Sequence, residues 1–303
     1  MGSRMVEKLL QDGHEVVVWN RTASITDEFV AIMSEKGYSK HLTFVYEIAE
    51  FPKLLTSPRI FWLMLPAGNP TKEAFENVLL FSGKNDILID GGNAYFKDSE
   101  VRYRVLQESG ILYLGIGVSG GIIAEKQGYP LMVGGNESAY KAVLPILKTL
   151  AKPFGGYSYL GQGGVGHFVK MVHNGIEYGM MQAIGEGFGV IEKSPYKVNL
   201  LSVSQIWQEG SIISGFLLDR ATETLEKDPL LSNVNGIIDS ASLDAVWTVD
   251  QAKTEEVPIG IIEQSVQFRK LSQTDVAIQN SFAAKMVASM RNEFGGHGIK
   301  EKK

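Results

Sequence analysis

The chain has 303 residues, 44% of them hydrophobic and 21% charged, with a net charge of −5. That length suggests two domains with sizeable cores, and the composition excludes a disordered chain. The acidic balance argues against a nucleic-acid binder, and the absence of cysteine excludes disulfides, thiolate zinc sites and a cysteine nucleophile.

Five histidines are present without an H-E-x-x-H pair, so no metal site is expected. The longest strongly apolar stretch, residues 60–67, is far below the ~20 residues that span a bilayer. The N-terminus has no apolar signal core. A cytoplasmic location is expected, with neither a membrane nor a nucleic acid as partner.

In chain order, Met5, Leu9 and Leu10 recur at helical spacing, and Asp12-Gly13 closes that helix. The β-branched run over 15–19 reads as a buried strand, and a helix over 25–36 follows. Strands are predicted over 59–65, 86–90, 111–118 and 129–133, and helices over 71–81, 99–109 and 137–150. Strands separated by helices imply βαβ units. Residues 1–160 are thus expected to form a Rossmann-type, doubly wound α/β parallel sheet that binds a dinucleotide. Residues 161–166 are a Gly-rich hinge, after which the strand signal stops. Helices are predicted over 167–192, 200–209, 216–227, 257–271 and 276–294, so 161–303 reads as an all-helical domain.

A doubly wound sheet opens with a strand, then G-x-G-x-x-G, then a helix. This chain opens in the helix, and Met1-Gly2 matches the last two residues of such a fingerprint. The expected first strand and first two glycines are absent. Two readings stand: a start codon placed downstream of the natural one, or a shortened protein.

Several loops fall at predicted strand ends, where open α/β sheets bind ligands. Asn20-Arg21-Thr22 carries an arginine where an acid would hold a ribose 2′-hydroxyl, which favours NADP over NAD. Asp90-Gly91-Gly92-Asn93 lets a ligand approach the backbone, with Asn93 able to hydrogen-bond it. Ser119-Gly120-Gly121 can form a backbone nest for a carboxylate. Each of these, taken alone, is equally a plain turn.

The strongest internal signal is Lys170-x-x-His173-Asn174-x-x-Glu177-Tyr178. These residues sit at i, i+3, i+4, i+7 and i+8 and make one polar helix face. A solvated face tends to be Lys and Glu, so this mixture favours a site. Arg291 and His297 flank a Phe-Gly-Gly segment where the last helix stops. They are candidates for binding a phosphate, or simply a frayed, glycine-capped end.

In this order, these motifs resemble the decarboxylating 6-phosphogluconate dehydrogenases within the wider β-hydroxyacid dehydrogenases. The resemblance runs from Met1-Gly2 to His297 and is nearest to the shorter family members of about 300 residues. It implies that Gly2, Asn20, Arg21 and Thr22 bind NADP (NAD being the alternative), with Leu65, Pro66 and Ala67 lining the cofactor. Asn93 would lie between nicotinamide and substrate. Ser119, Gly120, Gly121, His173 and Asn174 would hold the sugar acid, and Tyr178, Arg269, Arg291 and His297 its phosphate. Lys170 is implied as general base and Glu177 as general acid, which requires pKa shifts of opposite sense in one site. The last two phosphate ligands would come from a neighbouring subunit, so a homo-dimer or homo-tetramer is implied, as is a place in the pentose phosphate pathway. The chain departs from the family pattern before Trp247-Thr248. The glycines and basic residue usual there are replaced by Ser242-Leu243-Asp244-Ala245-Val246. The alternatives are a dehydrogenase of a smaller β-hydroxyacid and a non-catalytic homologue.

Overall fold

The computed structural model describes residues 1–239, 243–296 and 298. It divides into two compact units, Met1–Lys170 and Met171–Lys303.

The first unit opens with α1 (Gly2–Gln11), then β1 (Val16–Val18), α2 (Ala23–Glu35) and β2 (Leu42–Phe44). A short α3 (Phe51–Leu54) leads to β3 (Ile60–Leu63), α4 (Asn69–Leu79), β4 (Ile87–Asp90), α5 (Phe96–Ser109) and β5 (Leu112–Val118). Then come α6 (Ala124–Gln127), β6 (Leu131–Gly135), α7 (Glu137–Ala142), α8 (Leu144–Ala151) and β7 (Tyr157–Gly161). The long α9 (Val165–Glu192) carries the chain out of this unit. The helix expected over 137–150 divides between α7 and α8. Pro145 sits in the first turn of α8, where its missing N–H costs no hydrogen bond.

The strands form two sheets. One is the parallel pair β1–β2, with Val17 opposite Thr43. The other has the order β3-β4-β5-β6-β7 and is parallel except between β5 and β6, where Ile116 faces Val133 in antiparallel register. The sequence predicts one parallel sheet; the link over 119–130 carries only the four-residue α6, where a parallel crossover is usually built round a full helix, and the pair is antiparallel. No pairing joins β1 to β3 among the described residues, which is where a doubly wound sheet places its first strand. Strands β4 and β5 are buried to the limit, with Ile89, Leu114 and Ile116 at 0% exposure. Helix α1 inserts Met5 into that core and Leu10 into the separate core around β1 and β2.

Among the described residues the regular elements of the second unit are helices. After α9 come α10 (Leu200–Gln208), α11 (Phe216–Lys227), α12 (Asp244–Thr254), α13 (Gly260–Ser272), α14 (Val276–Asn280) and α15 (Phe282–Gly295). Its core gathers Met181, Phe188, Leu225, Ala284 and Met286. The helix expected over 276–294 is interrupted at Ser281, whose hydroxyl caps α15 by accepting from the Ala284 N–H. Helix α12 is not foreseen by apolar periodicity, because its buried face mixes Asp244 and Thr248 with the small Ala245 and Ala252. No helix among the described residues is long and apolar enough to cross a membrane.

Candidate active site

In the first unit the loops at the carboxyl ends of β1, β3 and β4 carry the residues expected to meet a cofactor. Asn20, Arg21 and Thr22 form an exposed turn held by the Thr22 N–H donating to Asn20 Oδ1 at 3.1 Å. Leu65, Pro66 and Ala67 follow β3, and the Pro66 carbonyl accepts from Thr71 Oγ1 at 2.7 Å. A Cβ on Gly2 would lie 3.1 Å from the Met64 Cβ, so the start of α1 presses on the end of β3. That is the close helix–strand packing the last fingerprint glycine provides. A Cβ on Gly92 would meet the Leu65 carbonyl at 2.5 Å. These residues fit a dinucleotide, with the exposed Arg21 at the end of β1.

Helix α9 begins deep against β5 and β6. A Cβ on Gly166 would overlap the Gly115 carbonyl, and one on Gly117 would overlap the Lys170 side chain. Glycine at these positions brings Lys170 to the turn after β4, where its Nζ donates to Asn93 Oδ1 at 3.0 Å. One helical turn earlier, His167 is fully buried. Its Nδ1 pairs with Ser99 Oγ at 2.6 Å and its Nε2 with the Gly92 carbonyl at 3.2 Å. Burial pushes the His167 pKa down, against the pull of Asp90. Asp90 accepts from Arg102 at 2.5 Å and from the Gly92 N–H at 3.1 Å. The turn bearing Asn93 is therefore tied to α9, β4 and α5. Ser119 follows β5, its N–H bonded to the Pro130 carbonyl at 3.0 Å. Gly120 and Gly121 take successive positive φ values of 101° and 57°, which few other residues adopt.

In the second unit, α9 presents His173, Asn174, Glu177 and Tyr178. His173 Nδ1 lies 3.0 Å from Asn174 Oδ1, and Asn174 Nδ2 donates to Asp244 Oδ2 at 3.1 Å. Helix α12 reaches this position because Gly175 has no side chain. A Cβ there would stand 2.9 Å from Thr248 Cγ2. Thr248 Oγ1 in turn donates to the Met171 and Asp244 carbonyls, both at 2.8 Å.

Arg269, on α13, is 2% exposed and lies over the Tyr178 ring, 3.1 Å from its centroid. Neither terminal amine of this guanidinium has a hydrogen-bond partner among the described residues. Burial pulls its pKa down to about 10. An unsatisfied buried cation is costly in a fold and calls for an anion. Arg291 is buried and donates to the Asp239 carbonyl at 2.6 Å. His297 lies outside the described residues. Sequence reasoning missed His167, Ser99 and Asp244 as parts of the site. The histidine stood one turn before the recognised run, and Asp244 lay in the segment set apart only as a departure.

The family model for the NAD-binding domain of 6-phosphogluconate dehydrogenase matches residues 1–163, and that for the C-terminal domain of the same enzyme matches 166–302. The chain belongs to the 6-phosphogluconate dehydrogenase family. It is 33% identical to the NAD(+)-dependent, decarboxylating 6-phosphogluconate dehydrogenase of Haloferax volcanii over 303 residues, covering 100% of this chain and 96% of that protein. It is 36% identical to the NADP(+)-dependent, decarboxylating 6-phosphogluconate dehydrogenase of Bacillus subtilis over 285 residues, which is 90% of this chain and 59% of that one. The Plasmodium falciparum 6-phosphogluconate dehydrogenase, solved with NADP+ and with 6-phosphogluconate, superposes with a TM-score of 0.81 at 32% identity. There the match covers 90% of this chain and 60% of that one. The chain thus spans about three-fifths of these longer relatives and nearly the whole of the Haloferax volcanii protein. The family's members are oxidoreductases, and its N-terminal domain is the NAD(P)-binding one.

Proposed function

We propose that this chain oxidises and decarboxylates 6-phosphogluconate to ribulose 5-phosphate and CO2, with NADP as the preferred cofactor. The observation that carries this reading is Arg269, a buried guanidinium whose two terminal amines await an anion. A substrate phosphate supplies oxygens for both. A small β-hydroxyacid without a phosphate leaves them empty.

The nicotinamide, when bound, accepts the hydride that leaves C3 of the substrate. Lys170 takes the proton of the 3-hydroxyl as that hydride departs, so C3 becomes a ketone. Asn93, bonded to the Lys170 amine, keeps it aimed at this oxygen. The β-keto acid then loses CO2, and the bond's electron pair moves onto the C3 oxygen. The Lys170 ammonium, now charged, stabilises that oxygen. Glu177 delivers a proton to the former C2, the carbon that lost CO2 and becomes C1 of the product, and leaves the pentulose phosphate. Ser119, Gly120 and Gly121 receive the acid end of the substrate, and His173 and Asn174 its hydroxyls. Tyr178, Arg269, Arg291 and His297 hold the phosphate, with the last two supplied by a neighbouring subunit in a homo-dimer or homo-tetramer. Arg21 meets the 2′-phosphate of NADP, and the reaction places the chain in the pentose phosphate pathway of the cytoplasm.

The test is to mix purified chain, NADP+ and 6-phosphogluconate, and follow reduced nicotinamide and CO2 together. Equal yields are expected. Lys170→Met should lower kcat by about 10³-fold with an unchanged circular dichroism spectrum. Reduction without CO2, or equal turnover of an unphosphorylated β-hydroxyacid, would overturn the reading.

A further inference from the structure

We propose that Asp244 is a positioning residue that fixes the tautomer of His173, acting through Asn174. His173 then offers Nε2 as a hydrogen-bond acceptor to a substrate hydroxyl. The substrate part of this statement rests on the reaction proposed above; the tautomer does not.

Which atoms can donate decides the tautomer. Asp244 is 2% exposed, and its Oδ2 stands 3.1 Å from Asn174 Nδ2. A carboxylate only accepts, so the Asn174 amide must turn its NH2 towards it. That leaves Asn174 Oδ1 facing His173 Nδ1 at 3.0 Å. A carbonyl oxygen also only accepts, so Nδ1 must carry the hydrogen. In the neutral ring Nε2 then carries the lone pair.

The carboxylate is held rather than incidental. Thr248 binds the Asp244 carbonyl and the Met171 carbonyl with one hydroxyl, clamping the start of α12 to α9. Gly175 provides the room for that approach. Asp244 is the first residue of α12, where the helix dipole favours a negative charge. As an acceptor, His173 Nε2 receives a hydrogen bond from a substrate hydroxyl other than the one at C3, whose proton goes to Lys170.

The test uses the full chain labelled with 15N-histidine. Long-range 1H–15N correlation separates protonated from lone-pair ring nitrogens. His173→Gln identifies the signal among the five histidines. The wild-type spectrum should show Nδ1 protonated and Nε2 bare at a pH where the ring is neutral. Asp244→Asn can present either amide end to Asn174, so both tautomers should appear. The same variant should lose kcat by at least about tenfold with KM within about twofold. Asn174→Ala, on an accessible helix face, breaks the same link and covers the case in which Asp244→Asn fails to fold. A wild-type ring protonated at Nε2, or an Nδ1–H tautomer that persists in both folded variants, overturns the proposal. A tautomer that shifts in protein with no 6-phosphogluconate turnover supports the pinning and sinks the reaction instead.

Discussion

Two arginines expected to meet phosphates sit in opposite surroundings. Arg21 lies on an exposed turn at the end of β1. Arg269 is buried over the Tyr178 ring with its terminal amines unsatisfied among the described residues. The buried cation carries its desolvation cost in the folded chain before any ligand arrives. The exposed one carries almost none and must be ordered when a ligand binds. The first arrangement demands its anion. The second is easily tuned, which suits a family whose members use either NAD or NADP.

The sharpest way to break this contrast is Arg269→Met. Losing two charge-assisted hydrogen bonds should raise KM for 6-phosphogluconate by about 100-fold. Inorganic phosphate should raise the Tm of the wild type and leave that of the variant unmoved. Without phosphate the variant should melt no earlier than the wild type, because a buried cation with two unbonded terminal amines has been replaced by an apolar chain. A variant that melts far earlier and keeps its substrate KM would mean that Arg269 is structural.

A smaller effect is expected from Arg21→Ser. The KM for NADP should rise about tenfold, in keeping with one exposed charge–phosphate contact, while that for NAD stays within error. Equal changes for both cofactors would remove Arg21 from the 2′-phosphate.

The smallest effect concerns His167, which compares a buried neutral group with the buried charge of Arg269. Its folded pKa is depressed below the ordinary 6.5, so the unfolded chain binds the extra proton first. Stability from this residue is fully present above pH 6.5 and is lost as pH falls through the folded value. Urea unfolding of His167→Gln between pH 5 and pH 7.5 should show a shallower acid decline than the wild type. Parallel declines would mean that other groups govern acid sensitivity.

The alternation of β-branched runs with helical periods made the first unit legible, as did the run from Lys170 to Tyr178. The antiparallel β6 was not, because direction depends on what the link between two strands builds rather than on the strand's own residues. Helix α12 escaped because its buried face, Ala245, Thr248, Val249 and Ala252, is small and partly polar and gives only a weak apolar period. Asp244 and His167 escaped for another reason. Each acts across the fold on a partner distant in sequence, Asn174 in one case and Ser99 in the other.

The separate β1–β2 sheet has a consequence for how the chain spends its time. Two three-residue strands form a marginal sheet, and this one is bound to the rest of its unit through helices rather than through a shared ladder. Its opening free energy lies well below that of the β3–β7 sheet, so its amides exchange with solvent ahead of those in β4 and β5. The Asn20–Thr22 turn rides on that small sheet. Where that turn opens with the sheet, the apparent affinity for a dinucleotide is the intrinsic one scaled by the closed fraction. Any change that steadies β1 tightens cofactor binding without touching an atom of the cofactor.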